Sequence, residues 1–291
     1  MKAWIAYAIC ALVWGSTYFG IALGIESFTP FGMVATRYLS AGALALVLGR
    51  LTREPWPLRR DVPHLMLQGV LLLGISNALV TWAERFVPSG LTAVLCSTTP
   101  FFYALLGREG LGARTWLGLA VGFAGVALLT WKPGEGLALS GLGLGGLLAA
   151  VFLWAYGTLH GRRHVQGRGL LGQVGVQMLA GGTFGLLLTP FTGGFLHGPL
   201  TAKAGLAVGY LALFGSLIAY SAFGYLARVW SPTKMSTYAF LNPVVAVALG
   251  SAFLAEPFGL REAVGMLVIL AGVALVQFPS KTPKPACPAE E

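Results

Sequence analysis

Arg37 stands alone as a charge within the apolar run 31–49. A guanidinium in such surroundings must find a partner, reach polar headgroups, or serve as a counter-charge for something that carries an anion. Glu84, at the end of the apolar run 64–83, is the one carboxylate placed to meet it. Two tryptophans, Trp14 and Trp154, occupy the middles of runs separated by 140 residues, and Tyr18 follows Trp14 by one helical turn. Asn77, Thr98, Gln177, Tyr220, Tyr238 and Asn242 are further polar groups inside apolar runs. Each could make interhelical hydrogen bonds, and together they could line a neutral, aromatic, hydrogen-bonding chamber. Pro100 and Pro243 interrupt matching runs, where a missing N–H frees a carbonyl and can act as a hinge. His160 and His164 have metal-compatible i,i+4 spacing, but two arginines separate them and no third ligand is near in sequence. They therefore read as surface histidines, and neither metal nor cofactor is expected.

The elements that must hold these residues are membrane helices. The 291 residues are 56% hydrophobic and only 10% charged, far below the roughly 25% charge of soluble domains. Windows of about 20 apolar residues fall at 3–24, 31–49, 64–83, 88–107, 115–131, 141–160, 170–190, 204–226, 232–254 and 260–278. The expected fold is thus all-α, a polytopic membrane protein with ten transmembrane helices. With the N-terminus in the cytoplasm, fourteen Lys and Arg fall on the cytoplasmic face and four on the other, Arg37 lying within a span. Both termini are then cytoplasmic. Helix 2 runs inward, and side chains lean toward a helix N-terminus, so Arg37 leans outward. It either snorkels to the outer headgroups or faces substrate near the outer mouth, with rim placement favoured; Glu84 could pair with it there.

The chain repeats itself in order. Trp14, Gly32, Val34, Leu39, Gly42 and Leu46 match Trp154, Gly172, Val174, Leu179, Gly182 and Leu186. Pro100 matches Pro243, and Gly125-Val-Ala-Leu-Leu matches Gly272-Val-Ala-Leu-Val. Five helices per unit is an odd number, so the second unit enters from the opposite side as an inverted repeat, with a site expected near mid-membrane between the halves. The expected units are 1–137 and 138–280, followed by a disordered cytoplasmic tail, 281–291. Small-xxx-small pairs (Gly20/Gly24, Gly118/Gly122, Gly141/Gly145, Gly181/Gly185) are expected to bring helices close.

Four segments stand out: Trp14-Gly-Ser-Thr-Tyr, Val87-Pro-Ser-Gly-Leu-Thr-Ala-Val, Tyr238-Ala-Phe-Leu-Asn-Pro-Val-Val-Ala, and Leu254-Ala-Glu-Pro with Gly272-Val-Ala-Leu-Val. Together they resemble the EamA-type branch of the drug/metabolite transporter superfamily. The likeness spans nearly the whole chain in two tandem units. It departs from the pattern at Arg108-Glu109, where the first unit is four residues shorter. The resemblance implies a carrier of the bacterial inner membrane, often an exporter of amino acids or related metabolites, with a central cavity.

The residues narrow that expectation. Without a mid-membrane carboxylate, cargo is expected to be neutral, zwitterionic or weakly anionic, moved by alternating access without ATP, since no phosphate-cradling loop is present. Small-molecule substrate and lipid are the expected partners, and a monomer is compatible with these features. Nucleic acid is not expected, because the net charge of +9 is scattered among short loops. The three cysteines suggest no disulfide framework. A membrane enzyme or lipid-handling protein would need acid and base groups converging at one interface, and no nucleophile elbow or metalloprotease motif occurs. A receptor or scaffold would normally bring longer loops.

Overall fold

The computed structural model describes residues 1–87, 89–107, 111–130, 141–254 and 259–278. Among these the chain is helical, with one isolated bridge between Phe28 and Leu196. The tail 281–291, the unit boundary at 137/138 and Arg108-Glu109 lie outside the described residues.

Seven helical stretches are long and apolar enough to cross a membrane, with Ala113–Leu129 a shorter eighth. The chain is a polytopic membrane protein. We number the α-helices in order. They begin with α1 (Lys2–Gly24) and α2 (Pro30–Leu51). A third span comprises α3 (Val62–Gly69), a π-helical stretch Val70–Ser76 and α4 (Asn77–Ala83). Next come α5 (Ser89–Cys96), α6 (Thr99–Gly107) and α7 (Ala113–Thr130). Then follow α8 (Gly141–His164) and α9 (Leu170–Leu188). Another long span joins α10 (Ala202–Tyr210), a π-helical stretch Leu211–Ile218 and α11 (Ala219–Val229). The last helices are α12 (Pro232–Ser236), α13 (Tyr238–Leu254) and α14 (Leu260–Gln277).

Caps set several of these starts. The Thr29 hydroxyl accepts from Gly32 N–H at 3.0 Å, with Pro30 in the first turn of α2. Thr201 caps α10 and Ser231 caps α12 in the same way. The long helices α1, α2, α8 and α9 do not segregate apolar from polar faces; exposed leucines such as Leu12, Leu142, Leu206 and Leu267 stand outward, as lipid contact requires.

Several packing pairs made by helices before residue 130 have counterparts among those made by helices after residue 141. Helix α2 lies along α9, and α7 along α14. Helix α1 packs on α13 and α11, and α8 correspondingly on α6 and α4. Each half also has its π-helical stretch at an equivalent place, with Gly74 in one and Gly215 in the other. Glycines permit the closest crossings. A Cβ at Gly272 would collide with the Gly122 backbone, and one at Gly125 would lie 2.6 Å from the Ile269 nitrogen. Gly181 and Gly185 likewise meet neighbouring backbone or side chains. Gly141 and Gly145 do not follow the expectation: both face open space, since a small-xxx-small spacing acts only where a neighbour stands opposite.

The two prolines differ in effect. The expected span 88–107 is broken at Ser97-Thr98, just before Pro100, and the Cys96 carbonyl accepts from the Thr99 hydroxyl at 2.5 Å instead of from a backbone N–H. Helix α13 continues through Pro243, and its break falls earlier, at Thr237. Pro243 therefore does not interrupt the helix as expected. It removes the N–H that would have served the Ala239 carbonyl, a loss that neighbouring helices can accommodate.

Candidate functional site

A cavity of about 110 Å³ opens in the middle of the bundle, walled by residues of α1, α2, the third span, α6, α8, the Ala202–Val229 span and α13. Its position follows from the two π-helical stretches. A widened turn re-aims side chains and leaves carbonyls available off the regular ladder, and such turns are frequent at functional sites. Trp14 uses one of these carbonyls, its indole Nε1–H donating to Gly215 O at 2.9 Å. In the other stretch the Asn77 amide donates to Leu72 O at 3.0 Å, and the Ser76 hydroxyl donates across to Ala150 O at 2.8 Å.

The aromatic wall is a connected set. Trp14 meets Trp154 edge-on at 5.5 Å between ring centroids and Tyr238 at 4.9 Å. Phe223 backs both tryptophans at 5.4 Å, and Tyr220 stands 6.1 Å from Trp154. The tryptophans match in sequence, but their indoles do not match in bonding. Trp14 is pinned to Gly215, whereas Trp154 Nε1 is buried beside the Tyr103 and Tyr238 hydroxyls, close enough to interact but with no well-aligned hydrogen bond among the described residues. The Tyr220 hydroxyl is also buried without a partner among the described residues. Leaving such donors unmade costs about 1–3 kcal/mol each, so both are suited to a group that enters the cavity.

Arg37 supplies the charge. It is 6% exposed and lines the cavity, which corrects the favoured rim placement. Its Nε donates to the Ser216 hydroxyl at 2.6 Å, and its Cζ lies 4.9 Å from the Tyr38 ring centroid. Those contacts turn the guanidinium inward, where snorkelling would have carried it outward. The terminal nitrogens hydrogen-bond no described residue, and no ion pair joins Arg37 to Glu84. Both Glu84 oxygens are buried without a partner among the described residues, near Tyr18 and Cys96 at one end of the cavity.

Tyr18, Asn77 and Asn242 line the cavity with Trp14, Arg37, Trp154, Tyr220 and Tyr238. The Asn242 amide nitrogen donates to Ala11 O and Tyr238 O, both at 3.2 Å. Three expected residues do not line it. Gln177 faces Gln68, donating from Nε2 to Oε1 at 2.7 Å, because two buried amides on adjacent helices satisfy one another. Thr98, in the break between α5 and α6, bonds back to Leu95 O, and its neighbour Thr99 lines the wall instead. Glu84 stands behind Tyr18 and Cys96. Sequence reasoning missed Tyr38, Ser216 and Thr17; the one available signal was the register of Tyr38 and Ser216 beside Arg37 and Gly215.

On the Lys2 side of the cavity the bundle is closed. The Tyr7 hydroxyl pairs with Thr237 Oγ1 at 2.8 Å, and Gln277 Nε2 donates to the same oxygen at 2.8 Å. Trp4 and Trp230 pack edge-on at 4.9 Å, with Lys234 Nζ 4.6 Å from the Trp230 ring centroid.

The EamA-like transporter family model matches residues 1–131 and 141–278. The chain belongs to this family. An Escherichia coli K12 protein described as the uncharacterized inner membrane transporter YedA is 38% identical over 93% of this chain and 90% of its own. A probable terminal-alkyne amino-acid exporter of Streptantibioticus cattleyicolor is 29% identical over 94% of this chain and 93% of its own. A solved crystal structure at 18% identity superposes with a TM-score of 0.76, covering 94% of this chain and 95% of that one. That structure supports the fold alone. Family and cavity together make the chain a membrane transporter.

Proposed function

We propose that this EamA-family chain carries amino acids or related small metabolites across the bacterial inner membrane by alternating access, without ATP and preferentially outward. One observation carries the substrate class. Among the described residues, a buried arginine without a salt-bridge partner faces the same small chamber as two donors without a well-aligned hydrogen bond, Trp154 Nε1 and the Tyr220 hydroxyl. A carboxylate would satisfy Arg37 by charge-assisted hydrogen bonds, and the aromatic wall would hold a short apolar body. The cavity volume is well below the roughly 300–1,000 Å³ of pockets for drug-sized ligands, which favours compact cargo.

The architecture proposed is ten spans in two inverted five-helix units, 1–137 and 138–280, with a cytoplasmic tail 281–291. The counterpart packing pairs and the paired π-helical stretches support this reading. Alternating access then requires the cluster of Tyr7, Thr237 and Gln277 to part while the opposite end closes. Outward transport rests on the description of the Streptantibioticus relative as an exporter, and the inner membrane on that of the Escherichia coli relative. The test is counterflow of labelled amino acids into proteoliposomes with wild type, Arg37→Gln and Trp154→Phe. Saturable exchange of carboxylate-bearing cargo that weakens in both variants is the expected result. No exchange of any amino acid by a folded wild-type protein would reject the substrate class.

A further inference from the structure

At the end of the bundle away from Glu84, three histidines that lie far apart in sequence come together. His160 and His164 occupy successive turns at the end of α8, and His64 lies in the first turn of α3. His64 Nδ1 is 3.1 Å from His160 Nε2, and one ring nitrogen of each of the three lies within 4.8 Å of the other two. Sequence spacing offered two of these groups, and tertiary packing supplies the third. We propose that His64, His160 and His164 form a binding site for a divalent transition metal, which ties the third span to α8.

The geometry and the chemistry agree. In tetrahedral coordination with metal–nitrogen distances of 2.0–2.1 Å, donor nitrogens sit about 3.3 Å apart. The His64–His160 pair already has that separation. His164, the exposed member of the three, stacks on both other rings, 4.7 Å from His64 and 4.3 Å from His160 between centroids, and must swing off them to aim a nitrogen at a shared metal. Its Nδ1 faces the His160 carbonyl at 2.9 Å, so an Nδ1–H donor there leaves Nε2 as the metal ligand. A backbone carbonyl on the non-ligating nitrogen is the usual means of fixing a ligand's tautomer. Of the two neighbouring arginines, Arg162 donates to Ala227 O and Trp230 O, while Arg163 reaches toward Leu106 O at 3.5 Å and lines a pocket with His160 and His164, so its charge opposes a cation there. Three imidazoles without a carboxylate select zinc, nickel, cobalt or copper over magnesium or calcium. The fourth position is left to water.

The two elements joined are also cavity walls, Leu73, Ser76, Asn77 and Val80 on one and Val151 and Trp154 on the other. A metal at their ends therefore links two walls of the chamber and stabilises the folded protein by mass action.

The experiment uses full-length protein in detergent with any polyhistidine tag removed. Zn²⁺ is titrated calorimetrically, Co²⁺ binding is followed by its visible d–d absorption, and Mg²⁺ is the control. The expected result is one Zn²⁺ per chain, a raised melting temperature with Zn²⁺ but not Mg²⁺, and at least about tenfold weaker binding in His64→Gln and His164→Gln. His164→Gln, at an exposed position, keeps the comparison open if His64→Gln fails to fold. Absence of stoichiometric binding at about 100 μM Zn²⁺ overturns the site. Wild-type affinity in a folded His64→Gln protein overturns the bridge between the spans. None of these readouts depends on transport.

Discussion

Replacing Arg37 by Gln separates recognition of cargo from architecture. In the structure the guanidinium holds two neighbours, the Ser216 hydroxyl through Nε and the Tyr38 ring through its face, while its terminal nitrogens hydrogen-bond no described residue. If those nitrogens bind a carboxylate, the loss is that of hydrogen bonds to a charged group, about 1.5–3 kcal/mol. At 1.4 kcal/mol per factor of ten, apparent affinity for carboxylate cargo falls about 10- to 150-fold. The architectural part is smaller: an arginine over an aromatic ring contributes about 0.5–2 kcal/mol, and glutamine still reaches toward Ser216. The assay is proteoliposome exchange of an amino acid beside its amide, with melting temperature measured on the same preparation. Arg37→Gln should weaken the amino acid by this factor and spare the amide. Ser216→Ala, which disturbs the position of Arg37 but not its charge, should have the weaker effect. Equal losses for amino acid and amide in a stably folded variant would refute a carboxylate at Arg37.

Trp154→Phe keeps the ring packing but removes an Nε1–H without a well-aligned hydrogen bond, so KM for cargo should rise about two- to tenfold, the worth of one hydrogen bond, with little change in melting temperature. Trp14→Phe breaks the bond to Gly215 O and should instead lower stability by about 1 kcal/mol in a denaturation titration. Gly272→Ala drives a Cβ into the Gly122 backbone and should cost about 1–3 kcal/mol, whereas Gly141→Ala, in open space, should leave the melting temperature unchanged. Gln177→Leu leaves the buried Gln68 oxygen without its donor and should cost about 1–3 kcal/mol of stability; a selective change in cargo affinity would contradict its placement outside the cavity.

The membrane setting was legible in composition, because a chain so poor in charge has too little polar surface to meet water on all sides. Several of the polar and aromatic cavity residues were legible for a related reason. Arginine and asparagine inside apolar runs are costly against lipid, so Arg37 and Asn242 had to face inward or bond a neighbour, and the indole and phenol groups of Trp14, Trp154, Tyr220 and Tyr238 seek polar partners when buried. What sequence could not decide was rotation. The long helices α1, α2, α8 and α9 are apolar on every side, and no polar stripe states which face turns in. Thr98 lies in the break between α5 and α6 and bonds back to Leu95 O, whereas Thr99, the first residue of α6, stands on the cavity wall. Gln177 was drawn to Gln68, and Arg37 to Ser216, by partners on other helices that no local pattern announces. His64 is the furthest case: only the packing of α3 against α8 brings it to His160 across 96 residues of chain. Local chemistry marked which side chains needed a partner, and tertiary packing decided which partner each one found.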